Sequence, residues 1–196
     1  MHPYATNSAE RQTVPLLIAA VAFLIAWAVS TVLRYYKIEL PFWVEVPSTA
    51  GLYGLGYEWF RKKLWRLKVL SLLSWVQTPT IDGEWNGHVQ TSFDEHATQH
   101  GVTVVIKQNW TEISVRLKSR YSGSHSVIGA ITVDDAQSLL SYEYINEPLP
   151  GSVDTMHTHR GTTRLKISND RSRLEGEYYS GRDRKNEGIL ILEKSS

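Results

Sequence analysis

Two tyrosines and an asparagine at alternate positions are the first candidates for ligand binding. Tyr142, Tyr144 and Asn146 follow Leu140 at steps of two residues. In a β-strand these side chains share one face, and Leu140 indicates that this face points inward. Two aromatic rings can stack on nucleobases while an amide hydrogen-bonds to a base edge, which suits a nucleotide ligand. Core tyrosines with satisfied hydroxyls are an equally good interpretation.

A second alternating run carries histidine. His157 and His159 share a strand face with apolar residues further along, which places the histidines near one end of that strand. The pair could bind a metal with His96 or His100, but no third ligand has a fixed spacing to it. We therefore predict no metal site and expect a histidine that hydrogen-bonds to a ligand or a loop.

Cationic side chains follow a third run. Tyr178 shares a face with Leu174 in a predicted strand, and Arg182, Arg184 and Lys185 come directly after it. Arginines at the mouth of a barrel can bind phosphate through paired hydrogen bonds. A solvated turn with cationic tips is the equally simple alternative.

Catalytic chemistry has little support. The chain has no cysteine, which excludes disulfides, a thiol nucleophile and cysteine-based zinc sites. It contains no nucleophile elbow, no phosphate-binding loop of the GxxxxGK[ST] type and no HExxH motif. The sequence therefore predicts a binding protein without a cofactor, not an enzyme.

Short alternating segments separated by turn residues position these side chains. Alternation begins near Thr80 and predicts an eight-stranded, antiparallel, lipocalin-like up-and-down barrel, with a sandwich as the alternative. Gly83-x-Trp85 at the start of the first segment is typical of lipocalin-type barrels, in which the tryptophan closes one end. The predicted strands are 81–90, 101–108, 110–120, 124–133, 139–146, 156–168, 173–180 and 186–193.

The preceding part of the chain predicts two membrane-spanning helices. Val14–Leu33 is a run of twenty residues without a charge, which spans about 30 Å as a helix. A cleaved signal peptide is the alternative. The second segment, Leu40–Phe60, contains prolines and glutamates, so a helix lying in the membrane plane is its alternative.

Charge distribution predicts orientation and domain boundaries. Five Lys/Arg lie between Arg61 and Lys68, so the positive-inside rule places both ends of the helical hairpin in the cytoplasm. Residues 1–78 carry 8 Lys/Arg against 4 Asp/Glu, whereas residues 79–196 carry 13 against 16. We predict a membrane region over 1–78 and a cytoplasmic ligand-binding barrel over 79–196, with no polymeric nucleic acid as partner.

Small residues recur every four positions on both predicted spans. Ala22, Ala26 and Ser30 lie on one helix face, and Ala50 and Gly54 on the other. Such faces let helices approach closely in lipid. They predict either packing within the hairpin or self-association between chains.

Several short motifs combine in an order that resembles a known family. They are Asp82-Gly83-Glu84-Trp85, Tyr142-x-Tyr144-x-Asn146-x-Pro148, His159-x-Gly161, Leu174-x-Gly176-x-Tyr178 and Arg184-x-x-x-Gly188. Placed after two membrane segments and a basic linker, they resemble the two-transmembrane, β-strand-rich effectors of bacterial cyclic-oligonucleotide-based anti-phage signalling (CBASS).

This resemblance implies a function and a site. In that family the barrel receives a cyclic dinucleotide made by a partner nucleotidyltransferase, and the effector self-assembles and disrupts the inner membrane, which kills the infected cell. Some relatives work in the opposite sense, with the nucleotide holding the effector silent until phage depletes it. The implied pocket residues are Tyr142, Tyr144, Asn146, His159, Tyr178 and Arg184. A membrane-anchored carrier of an apolar ligand and a protein-binding scaffold are the alternative functions.

Overall fold

The structure, a computed structural model, describes residues 1–38, 41–134, 137–150, 152, 157–181 and 185–195, without the side chains of 42–47. Predictions for Leu40, Arg182, Arg184 and the start of the 156–168 segment lie outside these residues. The chain forms two compact units. One comprises Met1–Asn7 with Thr78–Ser196, and the other is Ser8–Gln77. The first seven residues, which the sequence-based boundary groups with the helices, thus belong with the β-strands.

The helical unit contains α1 (Glu10–Tyr35), α2 (Phe42–Lys62), a 3-10 turn (Leu64–Arg66) and the short α3 (Lys68–Leu72). Within the described residues, only α1 is both long enough and apolar enough to cross a bilayer. Its 26 residues extend about 39 Å. α2 overlaps the predicted segment Leu40–Phe60 from Phe42 onward, but it is not apolar enough to be counted as a candidate span among the described residues.

The two long helices contact each other through one side of α2. A Cβ added at Gly56 would lie 3.4 Å from Cγ2 of Ile18, which is ordinary contact distance. Ala22 of α1 is buried. Gly51 and Gly54, by contrast, have nothing within 4 Å of an added Cβ. The small-residue face of α2 that contains Gly54 is therefore not used for packing within the described chain.

In the part of the barrel unit that the structure describes there are nine strands. They are β1 (His2–Thr6), β2 (Gly83–Thr91), β3 (His100–Gln108), β4 (Glu112–Lys118), β5 (Ser122–Thr132), β6 (Ser138–Pro148), β7 (His159–Ile167), β8 (Arg173–Ser180) and β9 (Glu187–Lys194). They close in the order β1-β4-β3-β2-β9-β8-β7-β6-β5, with β4 also paired to β5. β2 to β9 correspond to the eight predicted segments.

The prediction of an eight-stranded, purely antiparallel barrel is wrong. β1 is a ninth strand, and it runs parallel to β5, with Tyr4 opposite Gly129 and Thr6 opposite Ile131. It runs antiparallel to β4 on its other side. The five residues of β1 include a proline and show no clear alternation. Because their partners lie more than a hundred residues away in the sequence, no local pattern indicated this strand.

β1 occupies a gap between two neighbouring strands. β4 and β5 pair only at one end, from Arg116 opposite His125 to Lys118 opposite Gly123. Beyond that point an irregularity between Ser126 and Ile128 shifts the register of β5, as β-bulges do when they bend a strand away from its partner. β1 completes the hydrogen bonding that the separated strands would otherwise lack.

One end of the barrel interior is closed by apolar side chains. Trp85 is fully buried, and its Nε1 donates to the carbonyl of Ile81 at 3.1 Å. Gly83 has φ of 135°, a conformation that favours glycine. Gln108, also buried, accepts from the amide of Ile81 at 2.8 Å and donates to the carbonyl of Pro79 at 3.0 Å. The polar groups at this end are thus paired inside the chain.

Candidate functional site

The opposite end of the interior carries polar and aromatic side chains. Tyr142, Tyr144 and Asn146 of β6 lie on the inner face and are 6–7% exposed. Strand register places Asn146 opposite His159 of β7. Tyr178 of β8 follows on the same side of the barrel, because β7 pairs with both β6 and β8. Five of the six predicted site residues therefore lie on adjacent strands, and Arg184 lies outside the described residues.

Tyr142 is the most enclosed tyrosine of this group. Burial raises the pKa of its hydroxyl to about 12, although a hydrogen bond with the side chain of Thr163 opposes that rise. Its ring centroid lies 6.4 Å from that of Tyr144, with the planes inclined at 58°. A neutral, hydrogen-bonded hydroxyl and an aromatic neighbour are typical of a core tyrosine that holds another ring in place.

Glycines on the neighbouring strands make room for two of the rings. A Cβ at Gly161 of β7 would overlap the hydroxyl of Tyr144. At Gly188 of β9, an added Cβ would lie 2.6 Å from Cε1 of Tyr178. Each ring thus lies directly over a residue without a side chain. The motif glycines Gly161 and Gly188 thus leave space for these rings and for the backbone of the neighbouring strands.

Asn146 and His159 are buried polar groups at this end. Within the part of the chain that the structure describes, the Asn146 side chain has no hydrogen-bond partner, although it is only 7% exposed. The Nδ1 of His159 donates to the carbonyl of His157 at 2.9 Å. An amide that makes no hydrogen bond within the described residues can donate to and accept from a ligand at this position.

The two histidines do not act as a pair. His157 is exposed and precedes β7, whereas His159 is buried within it. His100 interacts with Asp94 at 2.9 Å. Among the described residues, no group of three His, Asp or Glu is placed to hold a metal ion.

Two further residues reach this end of the barrel without having been predicted. Ser126 of β5 lies opposite Tyr144, and its Oγ accepts from the amide of Val115 at 2.9 Å. The Nε2 of His2 lies 2.7 Å from the same Oγ. Ser122, Ser124 and Ser126 alternate in the sequence, and that spacing was the available signal for Ser126. No such signal existed for His2.

A groove elsewhere on the barrel offers fewer side chains that could bind a ligand. It has a volume of about 510 Å³ and is open to solvent. None of the predicted site residues lines it. Among the described residues that line the groove, Lys118 is the single charged one, and most of the others are small or apolar. The tyrosine cluster is the better candidate, because it combines buried polar groups with aromatic rings.

A closed barrel with an apolar end and a polar, aromatic end is an architecture that can hold one small ligand. A family model described as "Cap15, cyclic dinucleotide receptor domain" matches residues 76–194, and the chain belongs to this family.

Two relatives are similar over most of the chain, and both are called CD-NTase-associated protein 15. The protein of Yersinia aleksiciae is 28% identical over 146 residues, which cover 74% of this chain and 68% of the relative. The protein of Staphylococcus schleiferi is 26% identical over 156 residues, which cover 78% and 80%. The resemblance to CBASS effectors is thereby confirmed, whereas the presence of two membrane spans stays a prediction.

Proposed function

We propose that this protein is a membrane-embedded anti-phage effector whose barrel binds a cyclic dinucleotide at the tyrosine cluster. The observation that carries the proposal is the convergence of Tyr144, Asn146, His159 and Tyr178 at one end of a barrel of the cyclic dinucleotide receptor family. An apolar ligand fits less well, because it would leave the buried Asn146 amide unpaired.

Each side chain has a distinct role in this proposal. Tyr144 and Tyr178 stack on the bases, which every base accepts through its flat face. Asn146 hydrogen-bonds to a base edge, and the imidazole of His159 hydrogen-bonds to the ligand. Arg184 binds a phosphate, for which a guanidinium is well suited. Tyr142 supports the ring of Tyr144.

Chain connectivity supports an insertion of the helical unit into the inner membrane as a hairpin. β1 precedes Ser8–Gln77 and β2 follows it, so both ends of that segment join the barrel. A segment that leaves and rejoins one folded domain crosses a bilayer an even number of times, so α2 returns if α1 crosses. A cleaved signal peptide would remove β1 and leave the gap between β4 and β5 unfilled. The basic residues of 61–68 favour a cytoplasmic barrel.

The effector step in this proposal is self-association of the helices, which disrupts the membrane and kills the cell. Ligand binding biases a two-state equilibrium between dispersed and assembled forms by its differential affinity for them. The exposed face of α2 that contains Gly51 and Gly54 is available for contacts between chains. In the alternative, bound nucleotide inhibits assembly until phage depletes it. This mode of control would use the same nucleotide site and the same helices.

The binding experiment uses the full chain in detergent micelles. Cyclic di-AMP, cyclic di-GMP, cyclic GMP–AMP and cyclic di-UMP are titrated, and we expect saturable binding of at least one. Failure of all four to bind would contradict the assigned ligand class.

Two matched variants then test the site. Tyr144→Ala should weaken binding by about 1–3 kcal/mol, because one base loses its stacking partner. Glu143→Ala is the control, since this side chain faces outward and pairs with Arg160. Weaker binding in Glu143→Ala than in Tyr144→Ala would place the ligand on the outer face of β6.

Assembly is tested by two glycine substitutions in α2. Gly54→Leu adds bulk to the exposed face of α2. It should reduce killing of cells, or the control of killing by the nucleotide, while nucleotide affinity is unchanged. Gly56→Leu adds the same bulk where α2 contacts Ile18, so it should instead reduce the yield of folded protein. Wild-type killing by Gly54→Leu would exclude this face from assembly.

A further inference from the structure

β1 connects the tyrosine cluster to the helical unit along only a few residues of chain. His2 lies at the start of β1, and α1 begins at Glu10. Between them, the side chain of Asn7 makes two hydrogen bonds of 2.8 Å with the backbone of Val133, one to its amide and one to its carbonyl. β1 is thus held by side-chain hydrogen bonds at both ends, by His2 at its start and by Asn7 directly after its last residue.

The His2 end forms part of the wall of the cluster. The His2 ring lies near Gly129, where its Cε1 would be 3.4 Å from an added Cβ and Tyr142 Cβ would be 3.5 Å away. Nδ1 of His2 lies 3.0 Å from the carbonyl of Pro3. With the proton on Nδ1, the hydroxyl of Ser126 donates to Nε2 while its oxygen accepts from the amide of Val115. Each hydrogen bond of this short network then has one donor and one acceptor.

The middle of β1 is packed into the barrel core. Tyr4 is 7% exposed, and its hydroxyl donates to the carbonyl of Trp110 at 3.0 Å. Tyr4 therefore anchors the strand in the gap between β4 and β5. β1 is thus anchored at its centre by Tyr4 and held at both ends by side-chain hydrogen bonds, which together define its docked state. Loss of the His2 or the Asn7 hydrogen bonds would release the corresponding end.

The far end of β1 leads into a helical unit whose two ends are tied together. The carboxylate of Glu10 is buried and accepts from the amide of Gln77 at 2.6 Å. This bond joins the start of α1 to the last residue before the chain returns to the barrel. β1 is therefore separated by only Asn7 to Ala9 in the chain from the residue whose carboxylate joins the two ends of the helical unit.

We propose that β1 forms one wall of the nucleotide site through His2 and transmits the occupancy of that site to the helical unit. The inference rests on the proposed nucleotide binding. Bound nucleotide packs against the wall that contains Ser126 and His2, and so favours the docked strand. Linkage between binding and docking is reciprocal. The factor by which bound nucleotide stabilises the docked state of β1 is therefore also the factor by which nucleotide binding is weakened when His2 is released.

The test is amide hydrogen exchange of the full chain in detergent micelles, with the most tightly bound of the four cyclic dinucleotides as probe. The nucleotide should slow exchange in the peptide that contains Tyr4 to Thr6. His2→Ala should lose this protection and bind about three- to tenfold more weakly, as expected for one hydrogen bond. His2→Gln should restore both. His125→Ala is the matched control, since this exposed histidine is the neighbour of Ser126 on the outer face.

Asn7→Ala separates sensing from transmission. It should keep near wild-type nucleotide affinity, because His2 remains in place, yet change killing in cells or its nucleotide dependence. If no dinucleotide binds to the wild type, the proposed function fails and this inference with it. If a nucleotide binds without slowing exchange in β1, or binds His2→Ala as well as the wild type, only the inference is overturned. Should His2→Ala not fold, the wild-type exchange measurement decides.

Discussion

The two ends of the barrel interior are built from the same strands but have opposite chemistry. On β6, Leu140 is fully buried at one end, while Asn146 lies at the other. On β7, Ile167 and Leu165 lead back to His159. At the closed end, buried polar groups such as Gln108 are paired within the chain. At the mouth, Asn146 has no partner among the described residues.

This difference separates stability from recognition within a single strand. Apolar inner residues bury surface and stabilise the fold. A polar side chain that makes no hydrogen bond within the chain adds little to stability and is available to a ligand. The barrel is therefore expected to lose stability when the closed end is altered and to lose affinity when the mouth is altered.

The largest expected effect is the loss of stability from a cavity at the closed end. Leu165 is 1% exposed, so Leu165→Ala should lower the free energy of unfolding by about 2–5 kcal/mol. Thermal unfolding of the full chain in detergent measures this as a decrease in Tm on the order of 10 °C. Nucleotide affinity of the folded protein should change little.

Lys166→Ala is the control for this prediction. Its side chain is exposed on the outer face beside Leu165, and such substitutions stay within about 0.5 kcal/mol. A selective loss of nucleotide affinity in Leu165→Ala, with Tm unchanged, would contradict the division between the two ends.

Most of the fold could be predicted because its strands are amphipathic. Alternating runs such as Val102, Val104 and Ile106 identify a strand with one buried face. β1 had no such run, and an apolar helix follows it directly in the sequence. Its pairing with β5 depends on a gap that the bulge at Val127 opens, which is a property of the folded barrel.

The candidate site was predictable where strand parity applied and not beyond it. Parity placed Tyr142, Tyr144 and Asn146 on one face, and the structure brings them to the inside. Strand parity did not place His157 correctly, because β7 begins only at His159 and His157 therefore lies before the strand. His2 reaches the cluster through tertiary structure alone.

Two buried amides give the sharpest comparison between the ends. Gln108→Ala should lower the free energy of unfolding by about 1–3 kcal/mol, because it leaves the amide of Ile81 and the carbonyl of Pro79 unpaired. Asn146→Ala should leave stability nearly unchanged, since it breaks no hydrogen bond within the described chain. Its cost should appear as weaker nucleotide binding, measured by titration.

The reverse result would be informative. If Asn146→Ala lowers Tm as much as Gln108→Ala does and leaves affinity intact, then Asn146 is a structural residue and the recognition surface is elsewhere in the barrel.

The smallest expected effect concerns Tyr142, which lies between the two ends. Its pKa is raised to about 12 by burial, whereas an unfolded tyrosine titrates near pH 10. Below pH 10 the hydroxyl is protonated in both states and stability does not depend on its ionisation. From pH 10 to 12 the unfolded state loses the proton first, so stability falls as pH rises. At pH 11 this loss is about 1 kcal/mol.

Tyr142→Phe should therefore show a shallower decrease in Tm between pH 10 and 12 than the wild type, because it removes the group that titrates. Its nucleotide affinity at neutral pH should equal that of the wild type if Tyr142 only supports Tyr144. An unchanged alkaline profile together with a large loss of affinity would instead mean that the Tyr142 hydroxyl contacts the ligand. The boundary between the stabilising end and the recognition end would then lie one inner position closer to Leu140.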